Sequence, residues 1–198
     1  MTTMFEIPRA GEFVALLHDR LPDKTYQHCL SVAEFCRSFI HKAGITEEQA
    51  ITAGLLHDLC KPLKNDEMLI AAAKYDIRAA PLQREKPTLL HGPVAAEECR
   101  RELGVVDPDI LDAIYWHTTG RADWNPVGVA LYVADYAEPR RQRRESDEAR
   151  AILEKRGYEA AVRYVVNEKI SQIEKKWGLD PDALAFREWI ERAWRPPA

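Results

Sequence analysis

Apolar positions recur along the chain at the three- and four-residue spacing of a single helix face, while alternating apolar and polar runs between turn signals are hard to find. This pattern predicts an all-α protein. Helices are expected over about 11–20, 24–42 (after Asp23 and before Gly44) and 46–60, the last opening on the capping-box pair Thr46 and Gln49 and stopping ahead of Pro62. Asn65 should cap a short helix reaching residue 75. Another is expected over 92–103, ending at Gly104, and the cap and first-turn pair Asp107-Pro108 starts one that reaches His117; Asn125-Pro126 repeats that signature. The stretch 76–88, with Pro81 and Pro87, reads as the longest irregular connection, a place that could border a site. Past Arg140 the composition becomes highly charged, and helices are expected over 147–156, 158–177 and 181–194, with Trp177, Trp189 and Trp194 as their anchors. The implied organisation is a bundle over 1–145 with the helices of 146–198 packed on it as one structural domain.

The stretch Gly54-Leu55-Leu56-His57-Asp58-Leu59-Cys60-Lys61-Pro62 conflicts with its surroundings. Ala50, Ile51, Ala53, Leu55, Leu56 and Leu59 leave the 46–60 helix almost no polar face, which marks it as buried. A buried carboxylate needs a partner or takes up a proton. A metal ion would satisfy both His57 and Asp58. Other polar residues also continue apolar stripes: His28 lies one turn before Val32, His117 follows Ile110 and Ile114, and Asp135 follows Val127 and Leu131. His91 precedes Gly92-Pro93. A lone histidine on an apolar face is usually a hydrogen-bonded core residue. Such residues on four or five separate helices point instead to a shared ligand, and helix bundles build divalent-metal sites from facing helices. Six ligands with one bridging carboxylate suit two ions.

Composition narrows the partners. The chain has 198 residues, 46% of them hydrophobic, enough for a substantial core. A net charge of −4 gives no general reason to expect nucleic-acid binding, so an anionic ligand would need a local cluster of positive groups. Cys29, Cys36, Cys60 and Cys99 form no C-x-x-C pair, no N-terminal segment has the form of a signal peptide, and no apolar run approaches the roughly 18 residues of a membrane span. A cytoplasmic protein with reduced thiols and no membrane partner is expected. Nothing fixes the oligomeric state, and a homodimer stays open.

The order His28, His57-Asp58, His91, His117, Asp135 resembles the dinuclear form of the HD-domain phosphohydrolases. More narrowly, Leu56-His57-Asp58-Leu59-Cys60-Lys61, Leu90-His91-Gly92-Pro93-Val94, Tyr115-Trp116-His117-Thr118-Thr119-Gly120 and Ala134-Asp135-Tyr136-Ala137-Glu138-Pro139-Arg140 resemble the YqeK family, bacterial symmetrical bis(5′-nucleosyl)-tetraphosphatases acting on diadenosine tetraphosphate. The resemblance spans about 26–140. It implies an HD-domain helical bundle with two divalent ions, iron first and manganese, cobalt or zinc as alternatives. His28, His57, Asp58 and Asp135 would hold one ion, His91 and His117 the second, with Asp58 bridging. Water would attack a central phosphorus and ADP would leave.

A polyphosphate substrate needs cations beside the ions. Lys61, three positions after Asp58, and Arg140, just past Pro139, are the candidates for catalysis and substrate binding, with Thr118 and Thr119 as further phosphate contacts. Arg141, Arg143 and Arg144 read as a solvated face, with binding of a distal phosphate or an adenosine ribose as the alternative. Glu138 either orients a neighbour or pairs with arginine at the surface. Trp116 or Trp124 could stack on an adenine, although both fit a core role better. Thr25 and Gln27 depart from the basic and acidic residues of the family pattern, which affects substrate contacts more than metal binding. The competing functions are an HD phosphohydrolase acting on a nucleoside mono- or triphosphate or a cyclic dinucleotide, and a non-catalytic regulatory HD protein.

Overall fold

The computed structural model describes residues 5–178 and 180–197, with the side chains of 176 and 177 outside the description. Among the described residues it is all-α, with no strand. In order the helices are α1 (Ala10–Arg20), α2 (Asp23–Arg37), α3 (Ile40–Ala43), α4 (Glu47–Leu56), α5 (Asn65–Lys74), α6 (Pro81–Glu85), α7 (His91–Arg101), α8 (Pro108–Trp116), α9 (Pro126–Ala137), α10 (Arg144–Arg156), α11 (Tyr158–Trp177) and α12 (Pro181–Arg192). A 3₁₀ turn over Pro87–Leu90 leads into α7.

Most expected helices appear, and the departures have local causes. The 24–42 helix is two: the Ser38 hydroxyl donates back to the Phe35 carbonyl, Phe39 leaves the helical region, and α3 restarts at Ile40. The 46–60 helix has its capping box, with Gln49 N–H donating to the Thr46 hydroxyl and Thr46 N–H to the Gln49 side chain. It ends at Leu56, four residues early. Pro62 has no N–H for the Asp58 carbonyl, which accepts instead from Lys61 N–H at 3.1 Å, and tight turns continue from Leu56 to Leu63. Such i to i+3 turns eclipse side chains three apart, so Lys61 stands over Asp58. In the 76–88 connection, Pro81 takes the first position of α6 and Pro87 that of the 3₁₀ turn, so proline opens short helices where irregular chain was expected. The residue preceding α5 is Lys64 rather than Asn65.

Helices α4 and α9 form the centre. Every residue from Ala50 to Leu56 and from Val127 to Ala137 is buried, at roughly 1.5–3 kcal/mol for each large aliphatic side chain taken from water. α2 and α8 pack on both of these central helices or beside them, and α10 and α11 cover the far side of α9. Trp194 is buried edge-on to Tyr158 and half-buried Trp189 packs against Phe186; the side chain of Trp177 lies outside the described residues. All four cysteines are buried and unpaired. No helix among the described residues is long and apolar enough to cross a membrane.

Two close helix contacts set the site. A Cβ on Gly54 would fall 2.5 Å from the Ala33 Cα, so α2 and α4 touch backbone to backbone, one turn from His57. A Cβ on Gly92 would fall 2.8 Å from the Tyr115 carbonyl oxygen, which lets the start of α7 cross the end of α8 and brings His91 to His117. In a helix interior alanine is favoured over glycine by about 1 kcal/mol. At Gly54 the overlap is with backbone that cannot rotate away, so steric strain wins. Gly54→Ala is therefore expected to lower stability by about 1–3 kcal/mol in urea denaturation, the opposite of the propensity effect.

Candidate metal centre

His57, His91 and His117 share one local device. In each, ring Nδ1 meets the backbone carbonyl three residues earlier: Gly54 at 2.9 Å, Thr88 at 2.6 Å and Ile114 at 2.8 Å. A carbonyl only accepts, so Nδ1 carries the proton and donates it, leaving the Nε2 lone pair free. His28 does the same through a carboxylate, its Nδ1 donating to Glu138 at 3.0 Å. All four lone pairs converge inward. His91 Nε2 and His117 Nε2 stand 2.9 Å apart, two acceptors facing each other, an arrangement that calls for a cation between or beside them.

The two aspartates complete the cluster. Asp58 is fully buried and divides its oxygens, with Oδ2 3.7 and 3.5 Å from the Nε2 atoms of His28 and His57, and Oδ1 3.3 and 3.5 Å from those of His91 and His117. Asp135 Oδ1 lies 3.2 Å from His28 Nε2 and 3.9 Å from His57 Nε2. Ligand bonds of about 2.0–2.2 Å put ligand atoms roughly 3–3.5 Å apart around one ion, so these spacings are those of a donor set. Two groups meet the requirement, His28, His57 and Asp58, and Asp58, His91 and His117, sharing Asp58. His57 Nε2 and Asp58 Oδ1 are buried without any hydrogen-bond partner, and a buried polar atom left unpaired carries a penalty of about 1–3 kcal/mol. The residues present fit a divalent cation, and no thiolate stands among them.

Electrostatics supports the same arrangement. Burial drives the His57 pKa down to about 3 and lowers that of His117, keeping both imidazoles neutral, as metal ligands must be. Burial opposes ionisation of Asp58, but the Lys61 ammonium holds its carboxyl well below the usual range; Lys169 and Arg141 do the same for Asp135.

The candidates from sequence fall in different places. Lys61 Nζ donates to Asp58 Oδ2 at 2.6 Å with its side chain about half exposed, so it links the buried cluster to solvent. Arg140 is exposed on the cleft wall, and its guanidinium has no hydrogen-bond or ion-pair partner among the described residues. Thr118 brings its hydroxyl to 3.4 Å from His117 Nε2, and Thr118 and Thr119 both line a neighbouring cleft. Trp124 is buried against Gly128 and Phe186 and belongs to the core. Glu138 is buried and orients His28, accepting also from Ser31 and from the Arg140 backbone N–H.

Two further cations, Arg141 and Lys169, reach Asp135. Arg141 is not a solvated side chain: it donates to Asp135 Oδ1 at 2.8 Å and to the Asp135 carbonyl at 3.0 Å, because the turn after Pro139 aims it back at α9. Lys169, on α11, had no sequence signal beyond being a lysine in a charged helix. It is largely buried and donates to Asp135 Oδ2 at 2.8 Å and to the His117 carbonyl at 2.9 Å, with its ammonium 3.9 Å from the Tyr132 ring centroid. The site opens to solvent through a cleft of 760 Å³ lined by His28, Asp58, Lys24, Lys61, Arg140 and Arg141.

The chain is similar to known proteins over most of its length. The HD domain family model matches residues 25–152. The chain is 31% identical to the symmetrical bis(5′-nucleosyl)-tetraphosphatase of Bacillus subtilis (strain 168), over 90% of this chain and 96% of that protein. It is 34% identical to the Staphylococcus aureus protein of the same name, over 64% of each. Among solved structures it matches one described as a predicted HD superfamily hydrolase involved in NAD metabolism from Clostridium acetobutylicum, with a TM-score of 0.83, 26% identity and coverage of 91% of this chain and 96% of that one.

Lys169→Met leaves the buried Asp135 carboxylate short of one of its two cationic partners. In protein stripped with chelator, breaking this pair is expected to lower stability by about 3–5 kcal/mol in urea denaturation. Added divalent cation should recover part of the loss, since it also compensates Asp135.

Proposed function

The chain belongs to the HD-domain family, and we propose that within it the protein is a symmetrical bis(5′-nucleosyl)-tetraphosphatase, hydrolysing diadenosine tetraphosphate to two ADP. The observation carrying this reading is the convergence of four imidazole lone pairs and two buried carboxylates at the foot of a cationic cleft, in a chain whose net charge is negative. Relatives bearing that enzyme's name align over most of the chain.

His28, His57, Asp58 and Asp135 would hold one divalent ion and His91 and His117 the second. Asp58 is the shared group, with one oxygen toward each set. Iron is the ion we propose, with manganese, cobalt and zinc chemically compatible with an imidazole and carboxylate set. When bound, such a pair supplies Lewis-acid polarisation of phosphate oxygens and a water acidified toward neutral pH.

The chain's own residues do the rest. Glu138 and the carbonyls of Gly54, Thr88 and Ile114 fix the four rings, so the donor set needs little reorganisation on binding. Lys61 and Arg141 stand where charge builds on a phosphate at the cluster and would stabilise it. Arg140 and Lys24, farther out on the wall, would bind the outer phosphates, and the Thr118 hydroxyl can donate to a phosphate oxygen beside His117. We take residues 1–145 as the unit carrying the metal centre and 146–198 as helices that complete it, with α11 contributing Lys169. The four unpaired, buried thiols accord with a reducing cytoplasm.

Incubation with diadenosine tetraphosphate and Fe²⁺, Mn²⁺ or Co²⁺, with products resolved by ion-exchange chromatography, is expected to give ADP alone. AMP plus ATP would refute symmetrical cleavage. Asp58→Ala should lose both turnover and bound metal. Lys61→Ala and Arg141→Ala should each lower kcat about 10²–10³-fold with metal content retained, and Arg140→Ala should act mainly on KM.

A further inference from the structure

A second cleft adjoins the cluster, and its chemistry differs from that of the first. Its volume is 340 Å³, and Leu82, Leu89, Tyr115, Trp116, Thr118 and Asp182 contribute to its wall. No lysine or arginine lines it among the described residues, whereas Lys24, Lys61, Arg140 and Arg141 line the larger cleft. Thr118 joins it to the cluster, lining the cleft while its hydroxyl lies 3.4 Å from His117 Nε2. Leu89 and Pro93, two positions either side of His91, also line it. The cluster therefore has a cationic cleft on the His28 and Asp58 side and an uncharged or acidic, aromatic one on the His91 and His117 side.

We propose that this second cleft binds one nucleoside end of the dinucleotide, with the purine base against Trp116 and Tyr115, while the phosphate chain occupies the cationic cleft. The assignment rests on the hydrolase reading above. Phosphate would be repelled by Asp180 and Asp182 with no cation to offset them. Adenosine is neutral, presents a flat face that stacks on aromatic rings, and carries amine and hydroxyl donors for a carboxylate. Asp180 is engaged as the cap of α12, accepting from the N–H groups of Asp182 and Ala183 at 3.0 Å each, which leaves Asp182 as the acceptor for those donors. The volume lies at the low end for small-molecule pockets, suited to a nucleoside rather than a whole dinucleotide. Trp116 is half-buried at the cleft, whereas Trp124 is sealed in the core, so the two tryptophans near the site have separate roles. A substrate cleaved at its centre must direct its two ends away from the cluster along different paths, and the two clefts supply them.

The test compares full-length metal-loaded wild type, Trp116→Ala and Leu82→Trp, the last filling the cleft from its rim without removing the aromatic wall. Equilibrium dialysis counts ADP bound per chain, and steady-state kinetics follows diadenosine tetraphosphate. The wild type should bind two ADP per chain and each folded variant one, with KM raised about tenfold or more, the scale of base–aromatic stacking, and kcat within twofold. A wild type that turns over the substrate yet binds one ADP, or variants with unchanged ADP count and KM, would overturn the assignment. A wild type that binds two ADP but fails to hydrolyse diadenosine tetraphosphate would overturn the hydrolase reading and leave the nucleoside cleft standing. If Trp116→Ala does not fold, Leu82→Trp decides the question alone.

Discussion

The buried Asp58 carboxylate is the constraint around which the molecule is arranged. It sits just past the end of a helix buried from Ala50 to Leu56, at zero solvent exposure, where an uncompensated charge is untenable. Its two oxygens face four imidazoles and one ammonium; His57 and Lys61 come from its own turns, and His28, His91 and His117 from α2, α7 and the end of α8. The helix packing follows from that need. α2 must approach α4 at Gly54 to place His28, and α7 must cross α8 at Gly92 to place His91 beside His117.

Compensation is distributed by exposure. The innermost groups are imidazole rings whose Nδ1 atoms face backbone carbonyls or Glu138, leaving Nε2 inward for a cation, and burial keeps those of His57 and His117 neutral. The charged partners stand at the edges: Lys61 toward solvent, Arg141 at the turn after α9, and Lys169 behind Asp135. Lys169 binds the Asp135 oxygen that faces away from His28 and His57, so that carboxylate offers one oxygen inward. This gives the C-terminal helices a part in the site that their composition does not advertise, while Lys24, Lys61, Arg140 and Arg141 make the cleft locally cationic in a chain of net charge −4.

The helices were legible because their signals are local. Thr46 with Gln49, Asp107-Pro108 and Asn125-Pro126 cap within a few residues of themselves, and all three caps are present. The inward histidines and aspartates were legible because burial is written into the apolar stripes that carry them. Boundaries were less so: the early end of α4 turns on where one carbonyl finds its donor, and α6 on whether a proline opens a helix or a loop.

The sequence by itself therefore determined the all-α architecture, the buried elements and the six residues of the candidate centre, since periodicity, capping and the expense of buried charge are properties of short segments. Lys61 beside Asp58 was also legible, but only the tertiary structure decided which further cations serve that centre. Arg140 and Arg141 are adjacent and chemically identical, yet only the path of the turn sends Arg141 to Asp135 and leaves Arg140 on the wall. Lys169 reaches the same carboxylate across 34 positions of chain, a contact that exists only once α11 has docked on α9. Long-range contacts of this kind depend on how surfaces fit together, and no spacing along one segment encodes them.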